Sequence, residues 1–246
     1  MGTKLISIGK TAELLGISVD TLRRWDKSGK FSSVRTGSGG HRFYRFADIE
    51  FKLNSPQNQR NVAKQWVESS QGFSLDPQVY CETRDVFQAR LETLQSELGK
   101  TFSLATMSLV TAVAGEIGNN SFDHNLGNWP DVMGIFFHYD EKNKMIILAD
   151  RGQGILLTLQ RVKPELKNAE EALRVAFTES ISGRPSEGRG NGLKFVRSVI
   201  TKNPFSLDFQ TGDAFLHLKQ HDDTLFIQKA GAVSRGCFAT IKMEGK

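Results

Sequence analysis

The chain has 246 residues, of which 39% are apolar and 24% charged, with a net charge of +5 and only six prolines. That composition excludes a disordered or collagen-like chain and suits one large or two modest soluble domains with a substantial core. Two cysteines, Cys81 and Cys237, make neither a zinc spacing nor a disulfide framework. The first residues lack a signal-type apolar stretch, and no run reaches the ~18 apolar residues of a membrane span. The expectation is a cytoplasmic protein with no membrane partner.

Charge divides the chain. Residues 1–60 hold eleven Lys and Arg against five Asp and Glu, whereas the remainder holds 21 basic and 22 acidic residues. A small basic head before a nearly neutral body reads as a polyanion-binding module joined to a domain with another task.

Within the head, Ile8, Ala12 and Leu15 follow helical spacing until Gly16-Ile17-Ser18 interrupts them. Ser18 then caps a second predicted helix, Val19 to Asp26, whose Leu22 and Trp25 point inward. Two short helices about a Gly-containing turn form a helix-turn-helix pattern, and Arg23, Arg24 and Lys27 fall on its second helix. Beyond it, Gly37-Ser38-Gly39-Gly40 separates two runs rich in Phe, Tyr and Arg, a predicted hairpin or wing presenting Arg35, His41, Arg42 and Arg45. The run Thr21-Leu22-Arg23-Arg24-Trp25 with Gly40-His41-Arg42-Phe43-Tyr44 and Asp48-Ile49 resembles the MerR-type winged helix-turn-helix, over about the first fifty residues. That resemblance implies duplex DNA as a partner. No long dimerisation helix follows directly, unlike in effector-sensing MerR regulators.

Polar residues from Asn54 to Gly72 predict a linker around a short helix carrying Val62, Trp66 and Val67. The organisation expected is therefore a head at 1–53, a linker at 54–74 and a body at 75–246. Phe87, Leu91, Leu94 and Leu98 mark an amphipathic helix, read as core packing in preference to a coiled-coil seam.

Three segments of the body carry chemistry. Glu116 and Asn120 stand four apart on a helical pattern running from Ala112 to Asn125, so they share one face. A carboxylate beside a neutral oxygen ligand suits a magnesium nucleotide, because Mg²⁺ takes few protein ligands besides phosphates and water. Next, the apolar run Ile146 to Ala149 predicts a buried strand ending in Asp150-Arg151-Gly152-Gln153-Gly154, where a carboxylate can accept from a base amine. Third, Gly188-Arg189-Gly190-Asn191-Gly192-Leu193 opens a helix, whose exposed amides and dipole suit phosphate.

In this order, the three segments resemble the GHKL superfamily (gyrase, heat-shock chaperone, histidine kinase, MutL) with its Bergerat ATP-binding fold, over residues 75–246. Gly236 to Ile241 is similar to its closing strand. The implied fold class is α+β: a winged helix-turn-helix, then an α/β sandwich with helices on one face of a mixed sheet. The resemblance assigns Asn120 to Mg²⁺, Glu116 to the water-activating base and Asp150 to adenine. It assigns Gly152 and Gly154 to the first glycine box, and Gly188, Gly190 and Gly192, with Arg189, Asn191 and Leu193, to the second. Asn119, Asp123 and His124 are near-site candidates, and Phe177 to Glu187 would form the ATP lid.

No histidine lies between residues 42 and 123, which disfavours an autophosphorylating sensor kinase. The favoured reading is a DNA-binding regulator whose body binds Mg-ATP and couples nucleotide state to DNA, to a homodimer or to a partner protein. The alternative is an enzyme proper, either a Ser/Thr kinase of the anti-sigma-factor type or a slow ATPase acting on a partner protein.

Overall fold

The first two helices of the head start where the sequence supplies a cap. In the computed structural model, which describes residues 4–36, 40–53, 56–180 and 191–244, strand β1 (Leu5–Ser7) ends on Ser7, whose hydroxyl accepts the Lys10 amide and opens helix α1 (Ile8–Leu15). The helix closes on Gly16 with φ of 62°, and Ser18 caps α2 (Val19–Lys27) in the same way. Strands β2 (Val34–Thr36) and β3 (His41–Arg45) form the expected wing, but β1 adds to it, giving an antiparallel sheet of order β1-β3-β2. Three residues without marked alternation left β1 unread in the sequence. Helices α3 (Phe46–Leu53) and α4 (Pro56–Glu68) follow.

A small core of Ala12, Leu15, Leu22, Phe31, Tyr44 and Ile49 holds this unit together, with Phe31 and Tyr44 stacked at 5.0 Å between ring centroids. The wing is thereby packed onto the helix-turn-helix.

The segment 54–74, read as a linker around a short helix, contains both that helix and the division of the chain. Residues 56–68 are helical, and the chain divides into two compact units between Gln65 and Trp66, inside α4. Trp66 is fully buried, and its indole N–H donates to the Phe73 carbonyl at 3.1 Å.

The second unit begins with β4 (Tyr80–Cys81), α5 (Arg84–Gly99) and α6 (Leu104–Asn125). It continues through β5 (Ile135–Asp140), β6 (Met145–Asp150), α7 (Gly154–Gln160), α8 (Ala169–Thr178) and α9 (Gly192–Lys202), and ends with the long strands β7 (Phe205–Lys219) and β8 (Ile227–Met243). Its sheet has the order β4-β5-β6-β8-β7. Every pairing is antiparallel, which corrects the mixed sheet expected. The helical excursion returns β7 in the direction of β6, but β8 folds back as a hairpin partner and inserts between them. No parallel neighbours result.

One face of the sheet, with Phe137, Leu148, Ile241, Leu207 and Phe209, packs in a single apolar cluster with α5, α6, α8 and α9. Phe87, Leu91, Leu94 and Leu98 are all buried in that cluster, so the amphipathic stripe of α5 serves the core. Helix α6 approaches α5 closely at Gly118, where a Cβ would collide with the Phe87 ring. No helix among the described residues is long and apolar enough to cross a membrane.

Gly118→Ala tests this contact. Helix propensity alone favours alanine by about 1 kcal/mol, whereas overpacking against Phe87 costs about 1–3 kcal/mol. We expect net destabilisation in urea unfolding. A more stable variant would show that the two helices do not meet at this residue.

Candidate nucleotide site and nucleic-acid interface

Asp150 ends β6 almost without solvent exposure. One carboxylate oxygen accepts the Ser121 hydroxyl of α6 at 2.8 Å, the other accepts the Gly152 amide at 2.8 Å, and the Cys237 amide of β8 also donates to the group. Burial pushes its carboxyl up to about 6, against the opposing pull of those three donors. Gly236, at φ of 65°, lies against Asp150 so closely that a Cβ would collide with its backbone and side-chain oxygens. Only glycine fits that position.

The turn after Asp150 is fixed from two sides. Asn125 of α6 accepts the Gln153 amide at 2.8 Å and donates to the Ser121 carbonyl at 2.7 Å. The Thr211 hydroxyl accepts the Ile155 amide at 3.2 Å and donates to the Gly236 carbonyl at 3.1 Å. A bulge at Gly212 aims Thr211 there, where the β7–β8 register shifts. Ser121, Asn125, Thr211 and Gly236 escaped sequence reasoning as site residues, although Ser121 and Asn125 lie in the same helical run as Asn120. Thr211 had no signal, since its bulge depends on long-range pairing.

The structure brings Glu116 and Asn120 together beside Gly192. A Cβ on Gly192 would meet the Glu116 carboxylate and stand 3.5 Å from Asn120 Nδ2. Gly192 opens α9, and Asn191 before it makes no side-chain cap. The start of this eleven-residue helix therefore lies beside the Glu116–Asn120 pair, and its cap residue supplies no side-chain acceptor. Asn119 lies half-buried on α6, Leu193 packs against the core, and Gly154 lies beside Thr211 and Gly236. Asp123 is turned to another task, an ion pair with Arg84 of α5, and the His124 carbonyl accepts from Gln153. Gly188, Arg189, Gly190 and the lid from residue 181 onward lie outside the described residues; Phe177 and Thr178 end α8.

Arg151, beside Asp150, is fully buried. Its Nε and Nη2 donate to Asp131 at 3.0 and 2.5 Å. Its Nη1 donates to the carbonyls of Trp66 and Ser69, the latter at 3.0 Å.

No three His, Cys, Asp or Glu side chains gather as a metal cage among the described residues. One or two oxygen ligands completed by phosphates is the arrangement Mg²⁺ favours, and the Glu116–Asn120 pair against a helix N-terminus fits it.

In the head, Arg23, Arg24, Lys27, Arg35 and Arg42 line an open concavity of about 470 Å³ with Asp26 at its base. Asp26 accepts the Ser33 amide at 2.8 Å and Arg42 Nε at 2.7 Å, and Arg35 lies 3.6 Å away. Chiefly the Ser33 amide, and then Arg42, hold its carboxyl down at about 2. Arg42, 28% exposed, ties the wing to α2, whereas Arg35 is 60% exposed. Arg23 makes a surface pair with Asp20, and His41 and Arg45 are exposed on the wing.

Residues 7–44 match the family described as MerR family regulatory protein. The helix-turn-helix expected from the sequence is thus a MerR-family domain. The chain is also 35% identical over 220 residues to a protein of Escherichia coli described as Type II methyltransferase M.Eco47II, a similarity covering 82% of this chain and 49% of that protein. The chain spans about half the length of this curated relative. Neither description names an ATP-binding family.

The raised Asp150 carboxyl has a definite sign in stability. The folded body takes up this proton near pH 6 and the unfolded chain near 3.8, so folding gains as pH falls across that window. The stability difference between wild type and Asp150→Asn should shift in favour of wild type by up to about 3 kcal/mol between pH 7 and 4. A pH-independent difference in chemical denaturation would remove the assignment. Asp26 has the opposite sign: its contribution is present above pH 3.8 and is lost as pH falls through about 2.

Proposed function

We propose that this chain is a DNA-binding regulator whose body binds Mg-ATP in a GHKL-type site. The observation that carries the body's reading is the meeting of Glu116, Asn120 and Gly192 at the start of α9, with Asp150 joined to the same helix α6 through Ser121. A carboxylate to accept from a base amine, an Asn for a cation and helix amides for phosphate are the three recognition elements a magnesium nucleotide requires, and this group of residues supports that reading. The MerR-family domain and the five cations about the α2–wing concavity support the DNA half.

Bound Mg-ATP would bring a phosphoanhydride that water or a protein hydroxyl can attack. On this reading Glu116 polarises the attacking group, Asn120 holds the cation, and Asp150 orients the base. Glu116 also leaves room for the enzymatic alternative, a kinase or slow ATPase acting on a partner protein. The relative from Escherichia coli supports a further reading, methyl transfer, which would require a methyl-donor site in place of the nucleotide site.

Calorimetry on the full chain distinguishes them. We expect heat with Mg-ATP and none with S-adenosylmethionine; the reverse would replace the nucleotide reading with the methyl-transfer one. Asp150→Asn should weaken ATP binding roughly tenfold, since a hydrogen bond to a charged group contributes ~1.5–3 kcal/mol. Asn120→Ala should weaken it only when Mg²⁺ is present. Glu116→Gln should retain binding while lowering any turnover ~10²–10⁴-fold, and turnover at the wild-type rate would exclude Glu116 as the base.

For the head, Lys27→Ala should weaken binding to all duplexes similarly and lower the slope of log K against log salt by about 0.9. Arg23→Ala should instead narrow the gap between preferred and random DNA. Arg42→Ala should also lower the melting temperature, because Arg42 holds the wing to α2.

A further inference from the structure

Asp131 joins the two strands that close around Asp150, and the nucleotide reading gives it no task. It lies in the loop between α6 and β5, and it shares the second unit, Trp66–Lys246, with Arg151 and Arg235. One of its oxygens accepts Nε and Nη2 of Arg151, at 3.0 and 2.5 Å, and lies 3.8 Å from Nη1 of Arg235. The other accepts the Val132 amide at 2.6 Å, which fixes the carboxylate to its own loop. One anion is thus shared by two cations, the first just beyond β6 and the second within β8.

Both cations are rooted beside a backbone donor of the Asp150 site. Arg151 stands between Asp150 and Gly152, whose amide donates to the Asp150 carboxylate at 2.8 Å. Arg235 precedes Gly236, which packs on Asp150, and Cys237, whose amide also donates to it. The Arg151 side chain is fully buried, its Nη1 donates to the Trp66 and Ser69 carbonyls, and a Cβ on Gly72 would stand 3.2 Å from its Nε. A guanidinium so enclosed cannot change partners without stranding a charge. Arg235, 47% exposed, is the weaker of the two ties.

We propose that Asp131 is a positioning residue for base selection: through Arg151 and Arg235 it holds the Gly152 and Cys237 amides on Asp150, and so sets the direction in which that carboxylate accepts from a purine. The proposal rests on the nucleotide reading above. With two backbone amides and the Ser121 hydroxyl already donating to Asp150, the lone pairs left to it are few and directed. Adenine presents an amine where guanine presents a carbonyl oxygen. A carboxylate aimed at that edge accepts from the first and repels the second. If either amide swings away, the carboxylate can turn, and the contrast between the two bases narrows. The residues assigned to cation and phosphate lie on α6 and α9, outside this arrangement.

The test is the ratio of Mg-GTP to Mg-ATP dissociation constants, measured by calorimetry on the full chain, with hydrogen exchange of the ligand-free chain followed in parallel. We expect the wild type to prefer ATP by roughly tenfold or more, the worth of one hydrogen bond to a charged group. Asp131→Asn should weaken ATP by roughly that factor and leave GTP unchanged. It should also speed exchange at Gly152 and Cys237 while α6 about Ser121 keeps its protection. Arg235→Gln is the second variant, on an exposed side chain whose loss leaves the Asp131–Arg151 pair intact, and it decides the matter if Asp131→Asn does not fold. It should narrow the ratio by a smaller factor and speed exchange at Cys237. A wild-type ratio in either folded variant overturns the proposal, as does equal weakening of both nucleotides. A wild type that binds ATP and GTP alike overturns base selection and leaves the nucleotide reading standing. A wild type that binds neither overturns the nucleotide reading, and base selection with it.

Discussion

The carboxylate of Asp150 is the joint on which the second unit turns. It gathers a hydroxyl from α6, an amide from its own turn and an amide from β8 around one nearly inaccessible group. A buried carboxylate is costly unless its oxygens are occupied. Supplying those donors fixes where α6 crosses the sheet, how sharply the chain turns after β6 and why Gly236 has no side chain. The placement of Glu116 and Asn120 follows, since both ride on the helix that Ser121 anchors.

That constraint explains a contrast within α6. Its N-terminal half is a core element, with Val110, Val113, Ala114 and Ile117 buried. From Glu116 onward, polar residues interleave with Gly118 and Phe122 and turn toward β6 and α9. One helix thus supplies both a scaffold face and a functional face, and its low overall amphipathic asymmetry is the expected trace of being enclosed on several sides.

Much of this was legible from residue order, and the failures have physical causes. The helix-turn-helix was readable because Ser18 and Gly16 mark a cap and a turn locally, and Phe87 to Leu98 because a helical stripe repeats. Glu116, Asn120 and Gly192 could be linked only through a family resemblance, because their meeting depends on how α9 docks. Thr211 and Gly236, 25 positions apart, meet the site through a bulge in the β7–β8 pairing, which no local pattern reports. The direction of β7 relative to its neighbours depended on where β8 inserts. Arg42 looked like one more wing cation; that Asp26 on α2 claims its Nε is a tertiary fact. In 54–74 the helix was legible from Val62, Trp66 and Val67, whereas the depth to which Trp66 is buried is a tertiary fact.

The division of the chain inside a helix bears on how such a protein can be assembled by recombination. A head that ended at residue 53 could be exchanged as a cassette. The carbonyls of Trp66 and Ser69 that make the buried Arg151 tolerable both fall on the second unit's side of that division. A body cut after residue 69 would lose those acceptors and strand a buried charge, so the second module must be inherited with Trp66 to Ser69 attached.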